Sequence, residues 1–247
     1  MKKRNLKLLT AALVTTMLVG VGQSVLAHTR LDVPTMTEGT RAINHFLGHT
    51  CGENNAIGTS VVFPDGIDST ILVNGQPHSG SLTDFLTNYG NNAQLIFNRA
   101  VFDHMDVKTD PNGNVVGFWA GGGPGVPHNL TVATQFRLTA PSIEPASCAN
   151  TIKIYVSIAT ICKITGVDQF GVAGNVDLWT HNNLGTPFDR VSAEDDGPAP
   201  FTITRDLTKN PLPSSCNAGV DVEVKPSAAQ INRDMPIKFE GQQVWPQ

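Results

Sequence analysis

The sequence predicts an all-β protein, a β-sandwich with disulfides and loop-rich insertions. Three observations lead there. The 247 residues are 40% apolar but only 15% charged, enough apolar side chain for a real core. They carry 23 Gly and 16 Pro, a mix that suits short strands joined by turns better than helices. Apolar or alternating runs recur between turn signals spaced ~8–12 residues apart, the rhythm of a sandwich.

The elements follow in order. Residues 28–49 alternate loosely and break at Pro34 and Gly39, which predicts strands near 29–33 and 41–47. SVVFPDGI (60–67) is an apolar strand closing on a Pro-Asp-Gly turn. ILVNGQP (71–77) holds Asn74-Gly75, a hairpin signal, because that turn needs positive φ at both central residues. Ser81 three residues before Asp84 can cap a short helix. VKTDPNGNVVGFWA (107–120) reads as strand, turn, strand about Asp110–Gly113, and GGGPGVP (121–127) as a loop. NLTVATQFRLTAP (129–141) alternates cleanly and is a half-buried strand. TIKIYVSIATIC (151–162) and NVDLWTHNN (175–183) are two further β runs. EDDGPAP (194–200) is polar punctuation, and FTITRDL (201–207) is a strand or the start of a linker. Residues 208–247 are Pro-rich and weakly patterned, and read as a C-terminal extension.

The first 27 residues read as a secretory signal peptide. MKKRNLK is a positive n-region, a short apolar stretch follows, and Val25-Leu26-Ala27 supplies a cleavage site. Four of the 17 basic residues lie in this leader, so the mature part (28–207 as a sandwich domain, 208–247 as the extension) carries 13 basic against 21 acidic residues. That balance excludes a phosphate-neutralising nucleic-acid binder. No G-x-S-x-G, H-E-x-x-H or P-loop is present, so hydrolase and nucleotide chemistry have no support. The expected location is the periplasm or cell surface.

Cleavage after Ala27 would leave His28 first. A free N-terminal histidine offers its α-amine and ring Nδ1 as a chelating pair, and nitrogen ligands in a flat arrangement suit Cu(II). The four cysteines, Cys51, Cys148, Cys162 and Cys216, all lie beyond the leader. An even count in an oxidising compartment reads as two disulfides, with three connectivities open.

Several segments taken together resemble the YcnI-like family of exported copper-binding proteins (the DUF1775 domain). They are the mature start, Gly48-His49-Thr50-Cys51-Gly52, Phe63-Pro64-Asp65-Gly66-Ile67, VVGFWAGGG (115–123), TVATQFRLTAP (131–141), IYVSIATIC (154–162), NVDLWT (175–180) and GPAPFTI (197–203). The order is kept over roughly residues 28–205. The resemblance implies an immunoglobulin-like β-sandwich with copper at its N-terminal edge. It implies the pairs Cys51–Cys162 and Cys148–Cys216. It also implies a brace at His28 and an indole beside the ion at Trp179. The family's carboxylate position falls near Ala42, where this chain has none.

Other residues must then complete the site. If 41–49 stays extended, His45 and His49 share a face, and by the same period Trp179 and His181 share one. His28, His49 and His181 beside Trp179 form the expected copper site, with Glu38 and Glu53 as the nearest carboxylates. His78, His104 and His128 read as surface residues. The expected function is non-enzymatic: copper uptake, buffering or handover to another periplasmic or membrane copper-handling protein. The alternatives are a histidine-brace copper oxygenase, for which 2 Tyr and 3 Trp make a poor aromatic platform, and a metal-free structural or adhesive sandwich.

Overall fold

The computed structural model describes residues 29–190 and 197–247. The leader, His28 and Glu194–Asp196 therefore lie outside the described residues. The strands are β1 (Arg30–Leu31), β2 (Thr35–Thr37), β3 (Arg41–Gly48), β4 (Ala56–Val62), β5 (Thr70–Val73), β6 (Gln76–Pro77), β7 (Leu86–Thr87), β8 (Ala93–Leu95), β9 (His104–Thr109), β10 (Val115–Val126), β11 (Val132–Thr139), β12 (Ser142–Ile143), β13 (Ala149–Ile161), β14 (Val176–Trp179), β15 (Ala199–Thr204), β16 (Val220–Lys225), β17 (Ile237–Phe239) and β18 (Gln242–Trp245). Helix α1 spans Ala228–Asp234.

Two sheets form the sandwich. The smaller runs β1-β3-β11-β8, and the larger runs β6-β5-β16-β13-β4-β10-β9 with β14, β15 and β2 attached beside β13. Their facing sides meet in an aromatic core. Phe46 and Phe136 of the small sheet stack at 4.9 Å, and Phe118 of the large sheet lies 5.4 Å from Phe136. Burying each such ring contributes ~1.5–3 kcal/mol. Along β3, Asn44 and Phe46 point inward and are fully buried, while Arg41, Ile43 and His45 are more exposed. This is the alternation expected of a strand with one wet face.

β13 organises the large sheet. Its first half pairs with β15 and, in parallel, with β16. Its second half pairs with β14 and β4. Even positions such as Ile152, Ile154 and Ile158 face the small sheet. Ala159 and Ile161 face a second core, with Trp119, Leu178, Ile231, Met235 and Trp245. Residues 208–247, expected as an extension, thus supply a strand to the sheet, and α1 and β18 cover its outer face.

Several turns follow their chemistry. Asn74 (φ 48°) and Gly75 (φ 78°) make the β5–β6 hairpin turn. Ser81 and Asp84 form a capping box on the 3₁₀ turn Leu82–Asp84. Asp110 Oδ1 accepts from the amides of Asn112 and Asn114 between β9 and β10. The expected loop 121–127 is corrected. β10 continues to Val126 through a bulge between Gly121 and Val126, with Gly122, Gly123 and Gly125 at positive φ. Glycine tolerates those angles, so the run bends the strand rather than ending it. Both disulfides are formed, Cys51–Cys162 and Cys148–Cys216.

Lys108 ties the outer layer to the sheet. Its buried Nζ donates to Ser60 Oγ at 2.7 Å, to the carbonyls of Met235 and Pro236 at 3.1 Å each, and to that of Asp234. It therefore satisfies the carbonyls left bare at the end of α1. Gln230 fixes the other side, accepting from Asp65 N and donating to the Phe63 carbonyl.

Candidate metal site at the sandwich rim

The small sheet ends at Gly48, and the chain turns there. Thr50 Oγ1 donates to the Gly52 carbonyl, Gly52 takes φ 60°, and Cys51 bridges to Asn54. The Cys51–Cys162 disulfide pins this turn to the end of β13, and Cys51 N donates to Cys162 Sγ at 3.0 Å. His49 is thereby carried onto the large sheet. Its ring meets Trp179 edge-on, with centroids 5.3 Å apart.

The tautomer of His49 is fixed by its neighbour. Nδ1 lies 2.7 Å from the Thr50 carbonyl, which only accepts, so Nδ1 carries the proton. Nε2 is then left with its lone pair. It is buried and has no hydrogen-bond partner among the described residues. Such a nitrogen, held by an Nδ1–H to a carbonyl, is the arrangement of a metal-ligating histidine.

A carboxylate is nearby. Asp177 Oδ2 lies 3.9 Å from His49 Nδ1. On β14, Val176 and Leu178 face the outer core, while Trp179 belongs to the inner one. Asp177 shares the Trp179 face by the two-residue period. Asp177 is paired in register with Thr160, and Thr160 Oγ1 lies 3.5 Å from Thr29 Oγ1. The residue that follows His28 in the chain is therefore beside the strand position opposite Asp177.

The other expected residues sit elsewhere. His181 lies beyond the end of β14, and its ring meets Tyr155 edge-on at 5.3 Å. Burial, then Lys225 and Arg190, push its pKa down to about 4, with Glu223 acting against them. Those cations also disfavour a metal ion there. His45 and His49 do not share a face, because β3 stops between them. His45 instead lies 3.4 Å from Asp32 and 3.3 Å from Gln135. Glu38 is committed to structure, accepting from Ile143 N, Asp206 N and Asn210 Nδ2. Glu53 is exposed in the 51–54 turn. His78 bonds Asp84 at 2.8 Å, and His104 packs against Phe239. Among the described residues, no three His, Cys, Asp or Glu side chains converge as a complete metal site.

His181 sets an expected pH response. The folded state holds it neutral down to about 4, whereas the unfolded chain protonates it near 6.5. Between those values the unfolded state binds more protons, so stability falls as pH drops through the window. The side chain is partly open to water, so screening reduces the loss to about 1–2 kcal/mol. Urea midpoints at pH 7 and pH 4.5 should differ less for His181→Gln than for the wild type.

No protein-family model matches this chain, and no curated protein does. Among solved structures, it is similar to an uncharacterized protein from Nocardia farcinica whose crystal structure reveals an immunoglobulin-like fold. The identity is 14% and the TM-score 0.40, over 72% of this chain and 98% of that one. It is also similar to a type II cohesin domain from the cellulosome of Acetivibrio cellulolyticus, at 10% identity and TM-score 0.28, over 71% of this chain and 92% of that one.

Proposed function

We propose that this is an exported copper-binding protein, acting in copper uptake, buffering or handover rather than catalysis. The observation that supports this most is His49, whose Nε2 is a buried lone-pair nitrogen and whose ring has Asp177 3.9 Å from its Nδ1 and the Trp179 indole edge-on beside it. In this reading the mature chain starts at His28, whose amine and ring complete the donor set. His49 and Asp177 supply the remaining donors, and Asp177 takes the place that sequence reasoning gave to His181. Imidazole, amine and carboxylate together favour Cu(II). Trp179 shields one side, and the Thr50 carbonyl and the Cys51–Cys162 staple hold His49 in place. A periplasmic or membrane copper-handling protein would give or take the ion.

The test is a copper titration of the mature protein beginning at His28, beside a form with one glycine added before it. One equivalent should bind, and the extension should weaken it by ~100-fold or more, because it removes the amine from the chelate. Equal binding by both forms, or none by either, overturns the proposal.

A further inference from the structure

A cleft of about 460 Å³ opens beside Trp179 and Thr29, within the usual range for small-ligand pockets. Its aromatic walls are Tyr155 and Trp179, and Pro198 and Pro200 add flat apolar surface. Arg30 and Lys153 lie on its lining. Lys225 Nζ stands 5.2 Å over the Tyr155 ring and Lys153 Nζ 6.0 Å from it. The Arg190 guanidinium lies next to Gly197, which is part of the lining. Against these four cations the described residues set Glu223, which pairs with Lys225 at 3.1 Å. This concentration of positive charge stands out in a chain of net charge −4.

We propose that this cleft binds a small organic anion with a flat apolar body. The rings and prolines would take the body, and Lys153 and Arg30 the carboxylate. Neither part suffices alone: the lining is too apolar for a bare hydrated ion, and an uncharged aromatic would leave the cations unanswered. This inference does not rest on the copper reading, since no group it uses is one of the proposed donors His28, His49 and Asp177, and Trp179 serves only as a wall.

The experiment uses metal-free mature protein and follows amide and indole ¹H–¹⁵N shifts while 2-naphthoate is added. Benzyl alcohol, acetate and inorganic phosphate are the controls. Saturable shifts at Trp179 and Tyr155 are expected with naphthoate, and at least ~10-fold weaker binding with each control. Arg30→Gln at an exposed position and Lys153→Gln at a half-buried one should each weaken naphthoate by ~5-fold or more, with a thermal midpoint within about 2 °C of the parent. No saturation by about 10 mM naphthoate overturns the proposal, as does phosphate binding equally well or indifference to both substitutions.

Discussion

Asp177→Asn should lower Cu(II) affinity by ~100-fold while leaving the thermal midpoint within about 2 °C of the parent. The change keeps the size and shape of the side chain and removes its negative charge. The Asp177 side chain is about one-third exposed, so the fold tolerates an amide there. A cupric ion held by neutral nitrogens alone loses the charge that offsets its own, and an amide oxygen is a poorer donor. Competition titration against a calibrated chelator measures the affinity. The copper EPR spectrum should change as well, since one equatorial oxygen is lost or replaced. His181→Gln is the matched control and should shift affinity by less than about 2-fold, because that ring lies on Tyr155 among cations. If the two substitutions exchange these outcomes, the donor set is the one the sequence alone suggests.

The second large effect concerns Lys108. Lys108→Met should cost about 2–4 kcal/mol, seen as a fall of roughly 5–15 °C in thermal midpoint. Methionine fills much of the same space, yet it leaves three carbonyls at the end of α1 and Ser60 Oγ without their shared donor. The pH response supplies an independent reading. Burial pushes the Lys108 amine down to about 7, partly opposed by Asp234, from an ordinary value of 10.5. Between those values the unfolded chain holds the proton that the folded one has released. Stability therefore rises with pH across that interval, and the slope should vanish in the methionine variant. Denaturant midpoints at pH 7 and pH 9.5 for both proteins check it.

Much of the sandwich was legible in the sequence because its signals are local. Asn74-Gly75 sets a turn by backbone angle alone, and the alternation of 129–141 reports a strand with one wet face. The glycine run at 121–125 misled, since positive φ marks a bulge as readily as a loop, and only the pairing of β10 with β4 distinguishes the two. Residues 208–247 looked unpatterned because their contacts are long-range. β16 is short, and its parallel partner β13 lies about 70 residues earlier in the chain.

The candidate site was half legible. His49 and Trp179 do meet, but the two-residue period about Trp179 runs both ways along the chain, and the sequence does not say which neighbour stays in the strand. His181 falls beyond the strand end, whereas Asp177, two residues before Trp179, lies inside it and shares its face. The rule could have found Asp177, had the strand been known to end at Trp179. β3 ends at Gly48, one residue before His49, so the strand period does not reach that ring. A disulfide rather than a strand positions it, and periodicity carries no information about that.

The placement of β16 has a consequence for biogenesis. In the large sheet it lies between β13 and the β5–β6 hairpin, so that hairpin reaches the rest of the sheet only through a strand far later in the chain. A chain emerging from the ribosome cannot complete the large sheet until β16 has appeared. Closing a loop over such a span is slow, so the β5–β6 hairpin should join the large sheet late in folding, and its amides should be among the last of that sheet to gain protection from exchange.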